Sequence, residues 1–284
     1  MRISGANKTR KGKMSAPSRQ SIKPLVSSRQ VMLAVGADPG PNLRVAAEHG
    51  VGAEIQTFAD PGVLASDYSK LLDKVVAKTK ALKGPIGCHG AFFDTVHYSF
   101  DVEMMKLARM RYLQSFDFAE ALNAKYVLFH SQYDPIIKVR RYADSYHDNS
   151  MRFWQEMVCE SERRNIPIVI ENMFDDSPEP IQRIAKSFDS PYFRVCLDVA
   201  HTVVWSKVPF SEWLDAFSPY LLVTHLTDCD GEWDDHLGLG DGSLDLAGYL
   251  KGLKALPQKL YYVLETHAYM KRSLSYLRIP KLER

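Results

Sequence analysis

The chain has 284 residues, of which 45% are hydrophobic, 25% are charged and 11% are aromatic. These proportions are typical of a globular protein with a large core, and the length suits two average domains or one α/β barrel. No run of about 18 apolar residues occurs, which excludes a transmembrane helix and argues against a membrane partner. The four cysteines form no C-x-x-C pair, which argues against a disulfide scaffold or a zinc finger and favours a reducing, cytoplasmic location.

Residues 1–30 differ from the rest of the chain in charge. They contain eight Lys or Arg and no Asp or Glu, so the other 254 residues hold 28 basic and 34 acidic side chains, a net charge of −6. Because the segment also lacks hydrophobic periodicity, it is predicted to be a disordered basic tail, with a single barrel domain at 31–284. A transit peptide, a nucleic-acid contact and a later start at Met14 or Met32 are the alternatives.

From residue 31 onward, short apolar runs alternate with longer amphipathic segments. The apolar runs are nearly continuous, as expected for strands that are covered on both faces. They predict strands near 31–36, 53–58, 85–89, 125–130, 167–171, 193–198, 221–226 and 260–265. Helical patterns lie near 41–49, 66–82, 99–122, 146–164, 179–188, 210–217, 245–254 and 271–278. Eight such repeats predict an α/β fold of the (β/α)8, or TIM, barrel type.

The polar residues of these strands lie at the carboxyl ends, the rim at which barrels of this kind carry their active sites. Imidazole and carboxylate groups from six consecutive strands and their loops are expected to converge there. Such ligands suit zinc, manganese and iron, and a cation would relieve the repulsion between so many carboxylates. The sequence therefore predicts a site for one to three divalent metal ions, with nine ligands: His89, His130, Glu171, Asp198, His201, His225, Asp234, His236 and Glu265.

The segments that carry these ligands also carry a family resemblance. The chain resembles the xylose isomerase-like barrel superfamily over residues 31–270, most closely its sugar phosphate isomerase/epimerase branch. That branch is related to the endonuclease IV family of apurinic-site nucleases. The matching segments read CHGAFFD, VLFHSQ, IVIENM, CLDVAH, VTHLTDCDG, DDHLGLGDG and VLET.

The resemblance implies two alternative metal sites. Ketose epimerases of the superfamily hold one divalent metal, often manganese, on four ligands that correspond to Glu171, Asp198, His225 and Glu265. Endonuclease IV members hold three zinc ions on a larger set, and each position of that set has a match here among the nine residues. The ligands alone therefore leave both an isomerase and a nuclease open.

The rim loops favour a small substrate over DNA. A nuclease that bends DNA needs basic phosphate contacts, yet the predicted loops after the second, third and seventh strands contain no Lys or Arg. We therefore expect a sugar or sugar phosphate isomerase or epimerase, in which Glu171 and Glu265 move a proton next to a carbonyl and the metal stabilises the enediolate. Multinuclear-zinc phosphodiester hydrolysis, with DNA as substrate, is the alternative, and a non-catalytic sugar- or metal-binding barrel is a third.

Further side chains are candidates for contact with a sugar or polyol substrate. Asn172 follows Glu171 directly, and basic residues lie in the segments after the fourth and eighth strands, where an anionic group would meet them. The basic candidates are Arg140, Arg141 and Lys271. Phe92, Phe93, Phe174 and Trp205 are equally suited to walling a sugar pocket or to core packing. His267 is expected to be structural, and a homo-oligomer is possible.

Overall fold

The computed structural model describes residues 23–139 and 141–282. Eight parallel strands follow one another around a closed barrel, and the last strand pairs with the first. The predicted (β/α)8 barrel is therefore confirmed. The strands are β1 (Val31–Val35), β2 (Gly52–Ile55), β3 (Ile86–His89), β4 (Val127–His130), β5 (Ile168–Glu171), β6 (Phe193–Asp198), β7 (Leu221–Leu226) and β8 (Tyr261–Leu264).

Helices connect the strands on the outside of the barrel, as the amphipathic segments predicted. Two short helices, α2 and α7, lie in rim loops and were not predicted. The helices are α1 (Pro39–His49), α2 (Pro61–Leu64), α3 (Ser69–Thr79), α4 (Val102–Ala121), α5 (Tyr142–Arg164), α6 (Glu179–Phe188), α7 (His201–Val204), α8 (Phe210–Phe217), α9 (Leu246–Ala255) and α10 (Met270–Tyr276).

Local capping signals mark the start of α4 and the end of α5, the two longest helices. The carboxylate of Asp101 accepts hydrogen bonds from the backbone N–H groups of Glu103 and Met104, which satisfies donors that the first turn of α4 leaves free. Helix α5 ends at Asn165, which adopts the left-handed conformation with φ 56°. Because such signals are short-range, the predicted and observed bounds of these helices agree to within four residues.

Residues 1–30 were predicted to be a disordered tail. Residues 1–22 lie outside the described residues, but residues 23–30 pack against the barrel. Val26 is buried, the N–H of Leu25 donates to the carbonyl of Leu277 at 3.0 Å, and Gln30 Nε2 donates to the carbonyl of Leu260 at 2.9 Å. The packed part of the chain thus begins before the predicted boundary at residue 31, because Leu25 and Val26 bury apolar surface against the core.

The register of the parallel sheet aligns the polar strand ends. His130 in β4 is the register partner of Glu171 in β5, and Asp198 in β6 is the partner of His225 in β7. Neighbouring strands in a sheet lie about 4.8 Å apart, so these side chains are adjacent at the rim. Within the described part of the chain, none of the helices is long and apolar enough to cross a membrane.

Candidate functional site

A cavity of about 390 Å³ opens at the carboxyl ends of the strands. Asp198 and His225 are fully buried beside it, within a group whose ligand atoms all lie within 4.8 Å of one another. All nine predicted ligands thus lie in or next to one cavity, and seven of them line it: His89, His130, Glu171, His201, Asp234, His236 and Glu265.

The centre of the site is formed by four residues in or directly after four strands: Glu171, Asp198, His225 and Glu265. The Nδ1 atom of His225 lies 3.0 Å from Glu171 Oε1 and 3.0 Å from Glu265 Oε2. Three carboxylates and one imidazole therefore face a common point, an arrangement that suits a divalent cation.

A second group adjoins the first through Glu171. Its other carboxylate oxygen, Oε2, lies 3.3 Å from His130 Nε2, and that nitrogen lies 3.2 Å from His89 Nε2. Glu171 therefore belongs to this group and to the central one, and also to a buried group with Cys196 and His225. A carboxylate in this position can bridge two cations.

A third group is joined by Asp234 in the loop after β7. Its Oδ2 atom lies 3.3 Å from His201 Nε2 and 3.2 Å from His236 Nε2. The loop that carries it is ordered by Asp228, whose carboxylate accepts hydrogen bonds from the backbone N–H groups of Cys229, Gly240 and Leu244. The three groups are contiguous, since His201 Nδ1 is 3.8 Å from Glu171 Oε1.

Three of the histidines are oriented in the same way. In each, Nδ1 donates its proton to a backbone carbonyl, which leaves the lone pair of Nε2 directed at the cluster in the neutral imidazole. Histidine ligands of metals are typically oriented by such a bond on the other ring nitrogen. The three bonds join His89 to Gly90 at 3.0 Å, His201 to Asn172 at 2.7 Å and His236 to Glu265 at 2.9 Å.

Two buried carboxylate oxygens indicate whether a cation fits this site. Asp198 Oδ2 and Asp234 Oδ1 are buried and have no hydrogen-bond partner among the described residues. Buried polar atoms rarely lack a partner, and a metal ion would provide one for both. The donor set of imidazole nitrogens and carboxylate oxygens therefore fits zinc or manganese.

The electrostatics of the cluster agree with this interpretation. Burial alone would raise the pKa of the Glu171 carboxyl, but the imidazoles of His225 and His130 hold it well below its usual range. Burial raises the pKa of Asp198 to about 6, with further repulsion from Glu171. Burial would lower the pKa of His201, but the carboxylates around it raise the value to about 10. The cluster therefore attracts positive charge, as protons or as metal ions.

Two residues that sequence reasoning missed lie on β2 and just beyond it. Glu54 is fully buried and approaches the ring of His225, while Gln56 Nε2 donates to Glu265 Oε1 at 2.6 Å. The available signal was an acidic residue inside an apolar strand, because such a side chain is seldom buried without a partner. Glu54 lies inside its strand, whereas the ligands were predicted from the carboxyl ends of β3 to β8, so it was overlooked.

The polar side chains predicted to contact substrate do not line the cavity where the structure describes them. Asn172 does not line the cavity: its side chain accepts from the N–H of Asp198 at 2.9 Å and donates to the carbonyl of that residue at 3.1 Å. Arg141 at the start of α5 and Lys271 in α10 are exposed and do not line the cavity either. Arg140 lies outside the described residues.

The aromatic candidates divide into two pairs. Phe92 and Phe93 line the cavity, and so does His267, whose ring centroid is 4.4 Å from that of His236. Phe174 and Trp205 contact each other at 5.3 Å between ring centroids and line a neighbouring cleft instead. Phe92 and Phe93 thus give the cavity an apolar wall beside its seven possible metal ligands.

The closed barrel and its rim of imidazole and carboxylate side chains are typical of metal-binding barrel proteins. Comparison with known families identifies the family to which the chain belongs. Residues 43–279 match the family model described as xylose isomerase-like TIM barrel. Because the match extends over most of the chain, the protein belongs to this family, as the sequence predicted.

Individual relatives are distant. An uncharacterized protein of Methanocaldococcus jannaschii, MJ1311, is 26% identical over 175 residues, so the chain matches 59% of the length of that relative and 59% of its own. The TTHB071 protein of Thermus thermophilus, in a crystal soaked with ZnCl2, has a TM-score of 0.73 at 25% identity, covering 88% of this chain and 96% of that one.

A third structure, described as a D-tagatose 3-epimerase-like protein, has a TM-score of 0.71 at 19% identity. The alignment covers 87% of this chain and 98% of that one. A similarity of this degree supports the fold alone.

Proposed function

We propose that this protein is a divalent-metal-dependent isomerase or epimerase of a sugar or sugar phosphate, acting by proton transfer next to a carbonyl. The observation that carries the proposal is the placement of Glu171 and Glu265. Both carboxylates line the cavity, and they approach the same nitrogen of His225 from strands on different sides of the site. A substrate held there would have a carboxylate on each side.

The central group would hold the metal. Glu171, Asp198, His225 and Glu265 provide four ligand atoms, which is a sufficient set for one divalent ion. Such an ion supplies positive charge that lowers the energy of an oxyanion on the substrate. The size of the cavity, about 390 Å³, suits a molecule of monosaccharide dimensions, and the rings of Phe92 and Phe93 offer an apolar wall for it.

The protein's own side chains would move the protons. One carboxylate removes a proton from the carbon beside the carbonyl and becomes a carboxylic acid. The other, after taking up a proton from solvent, returns a proton to the resulting enediolate. Burial would raise the pKa of the Glu265 carboxyl, but the imidazole of His225 holds the pKa at about 2, so this carboxyl is ionised. Gln56, which donates to Glu265 Oε1, fixes the direction in which that carboxylate points.

The test is hydrogen exchange with solvent. Protein loaded with Mn²⁺ or Zn²⁺ is incubated in D2O with a panel of ketoses and ketose phosphates, and proton NMR follows deuterium entering the carbon beside the carbonyl. We expect deuterated substrate and product with at least one member of the panel. Replacement of Glu171 or Glu265 by Gln should slow the exchange by about 10²- to 10⁴-fold.

A matched control lies on the same rim. Glu232 is an exposed acid in the loop after β7 that does not line the cavity, so Glu232→Gln should retain the rate of the unsubstituted protein. If Glu171→Gln or Glu265→Gln also retained that rate, the assigned roles would be wrong. If the fully loaded protein exchanged no ketose of the panel, the reaction class itself would be rejected.

A second candidate function is hydrolysis of a phosphodiester on a multinuclear zinc site. The observation that favours it is the third group, His201, Asp234 and His236, which a single-metal isomerase does not need. Together with His89 and His130, these residues could hold two further ions beside the central one, and clustered ions supply charge for the attacking and leaving oxygens.

Metal counting separates the two candidates. Elemental analysis of protein purified without added chelator should give close to one ion per chain for the isomerase, and close to three zinc ions for the hydrolase. In the second case an oligonucleotide duplex containing one abasic site is the substrate to test.

We place the activity in the cytoplasm, in keeping with four cysteines that are all free thiols.

A further inference from the structure

Glu54 in β2 is a carboxyl group inside the barrel. Its side chain is fully buried, although an ionised carboxylate removed from water needs hydrogen-bond donors to offset the cost. Glu54 Oε2 accepts from the hydroxyl of Tyr126 at 2.7 Å and lies 3.3 Å from His225 Nε2, and Oε1 accepts from Gln56 Nε2 at 3.3 Å. The carboxylate is therefore held by three side chains that meet inside the barrel.

Space for this arrangement is provided by a glycine in β3. A Cβ at Gly87 would lie 2.5 Å from the Tyr126 hydroxyl oxygen, closer than any side chain could tolerate. The absence of a side chain there allows the phenol ring to extend across the barrel to Glu54. The contact is therefore built into the packing of two neighbouring strands and is not a chance encounter of mobile groups.

The two nitrogens of His225 face different partners. Nδ1 faces Glu171 and Glu265 in the central ligand group, whereas Nε2 faces Glu54 on the other side of the ring. A neutral imidazole carries one proton, so a proton held on Nε2 by Glu54 leaves the lone pair on Nδ1. That lone pair then points at the centre of the four ligands.

We propose that Glu54 is a positioning residue, which holds the ring of His225 in the orientation and tautomer that bind the metal through Nδ1. This proposal rests on the metal site of the proposed function. It adds a residue that neither contacts the cavity nor belongs to any of the ligand groups. Gln56, which directly follows β2, acts in a similar way because its amide nitrogen donates to Glu265. Residues in and just after β2 would therefore orient two of the four central residues.

The alternative is that Glu54 serves only as the partner of Tyr126. The two roles can be separated because Tyr126 contacts Glu54 but is not in hydrogen-bond contact with His225. Glu54→Gln removes the carboxylate that faces the imidazole. Tyr126→Phe removes the hydroxyl that donates to this carboxylate and leaves the carboxylate in place. The second variant is therefore a matched control for loss of packing and hydrogen bonding.

The experiment measures metal affinity and stability in parallel. Affinity for Zn²⁺ is determined by competition with a chromogenic chelator, the geometry of the site by the visible absorption of bound Co²⁺, and stability by thermal unfolding of the metal-free protein. We expect Glu54→Gln to weaken Zn²⁺ binding by about 10- to 100-fold and to change the Co²⁺ spectrum. Tyr126→Phe, which keeps the carboxylate facing His225, should weaken the binding of both metals much less than Glu54→Gln does, with a similar loss of metal-free stability.

Three other outcomes would contradict the proposal. If Glu54→Gln and Tyr126→Phe lower Zn²⁺ affinity equally, Glu54 has only a structural role, and the proposed function is unaffected. If Glu54→Gln loses a whole metal equivalent and the remaining ions bind normally, Glu54 is itself a ligand. If the unsubstituted protein binds neither Zn²⁺ nor Co²⁺, the proposed metal site and this inference fail together.

Discussion

Removal of bound metal should lower the thermal stability of this protein by about 5 °C. The nine candidate ligands extend along the chain from His89 to Glu265 and converge only in the folded barrel, so the unfolded chain offers no comparable site. A ligand that binds only the folded state at 100 times its Kd stabilises that state by about 2.7 kcal/mol. The structure orders about 260 residues, and about 2.1 cal/mol/K of unfolding entropy per residue converts this energy to about 5 °C.

The assay is differential scanning calorimetry in three states: metal-loaded, dialysed against a chelator, and reloaded with Zn²⁺ or Mn²⁺. Reloading should restore the original Tm. The His225→Gln variant, which removes the only imidazole of the central group, is the control and should lose most of the response at that group. The reasoning would be refuted if chelation left the Tm unchanged, or if His225→Gln responded to metal as strongly as the unsubstituted protein.

Three further predictions follow from individual contacts. Asp234→Ala should lower the metal content by one equivalent if all three groups are occupied, and by almost none if only the central group binds an ion; elemental analysis reads this directly. Gln56→Leu removes the donor to Glu265 Oε1, so kcat should fall by about tenfold at unchanged metal content, and an unchanged kcat would exclude the orienting role. Burial raises the pKa of Asp175 to about 7, above the ordinary 3.8, so the folded protein loses stability as pH rises through that window. In urea unfolding of chelated protein, Asp175→Asn should therefore gain about 2–3 kcal/mol relative to the unsubstituted chain between pH 5 and pH 8.5, and parallel pH curves would contradict this.

Much of the fold follows from local patterns in the sequence. A strand covered on both faces must be largely apolar, so runs such as 193–198 and 221–226 were predicted with the bounds that the structure has. Because all strands of the barrel are parallel, their carboxyl ends share one rim, and the ligand residues at those ends were predicted to converge there. The short helices α2 and α7 were missed, since four residues carry too little periodicity to be recognised.

The sequence by itself therefore determined the barrel, its family and the candidate ligands at the rim, because each depends on residue type and on position along a strand. Only the tertiary structure decided which ligands adjoin, since the three groups arise from the sheet register and from the loop that Asp228 holds in place. It also decided that Asn172 binds the backbone of Asp198 and that Glu54 faces His225. Those last two partners are 171 residues apart along the chain, and their contact depends on the closure of the barrel, which no local pattern records.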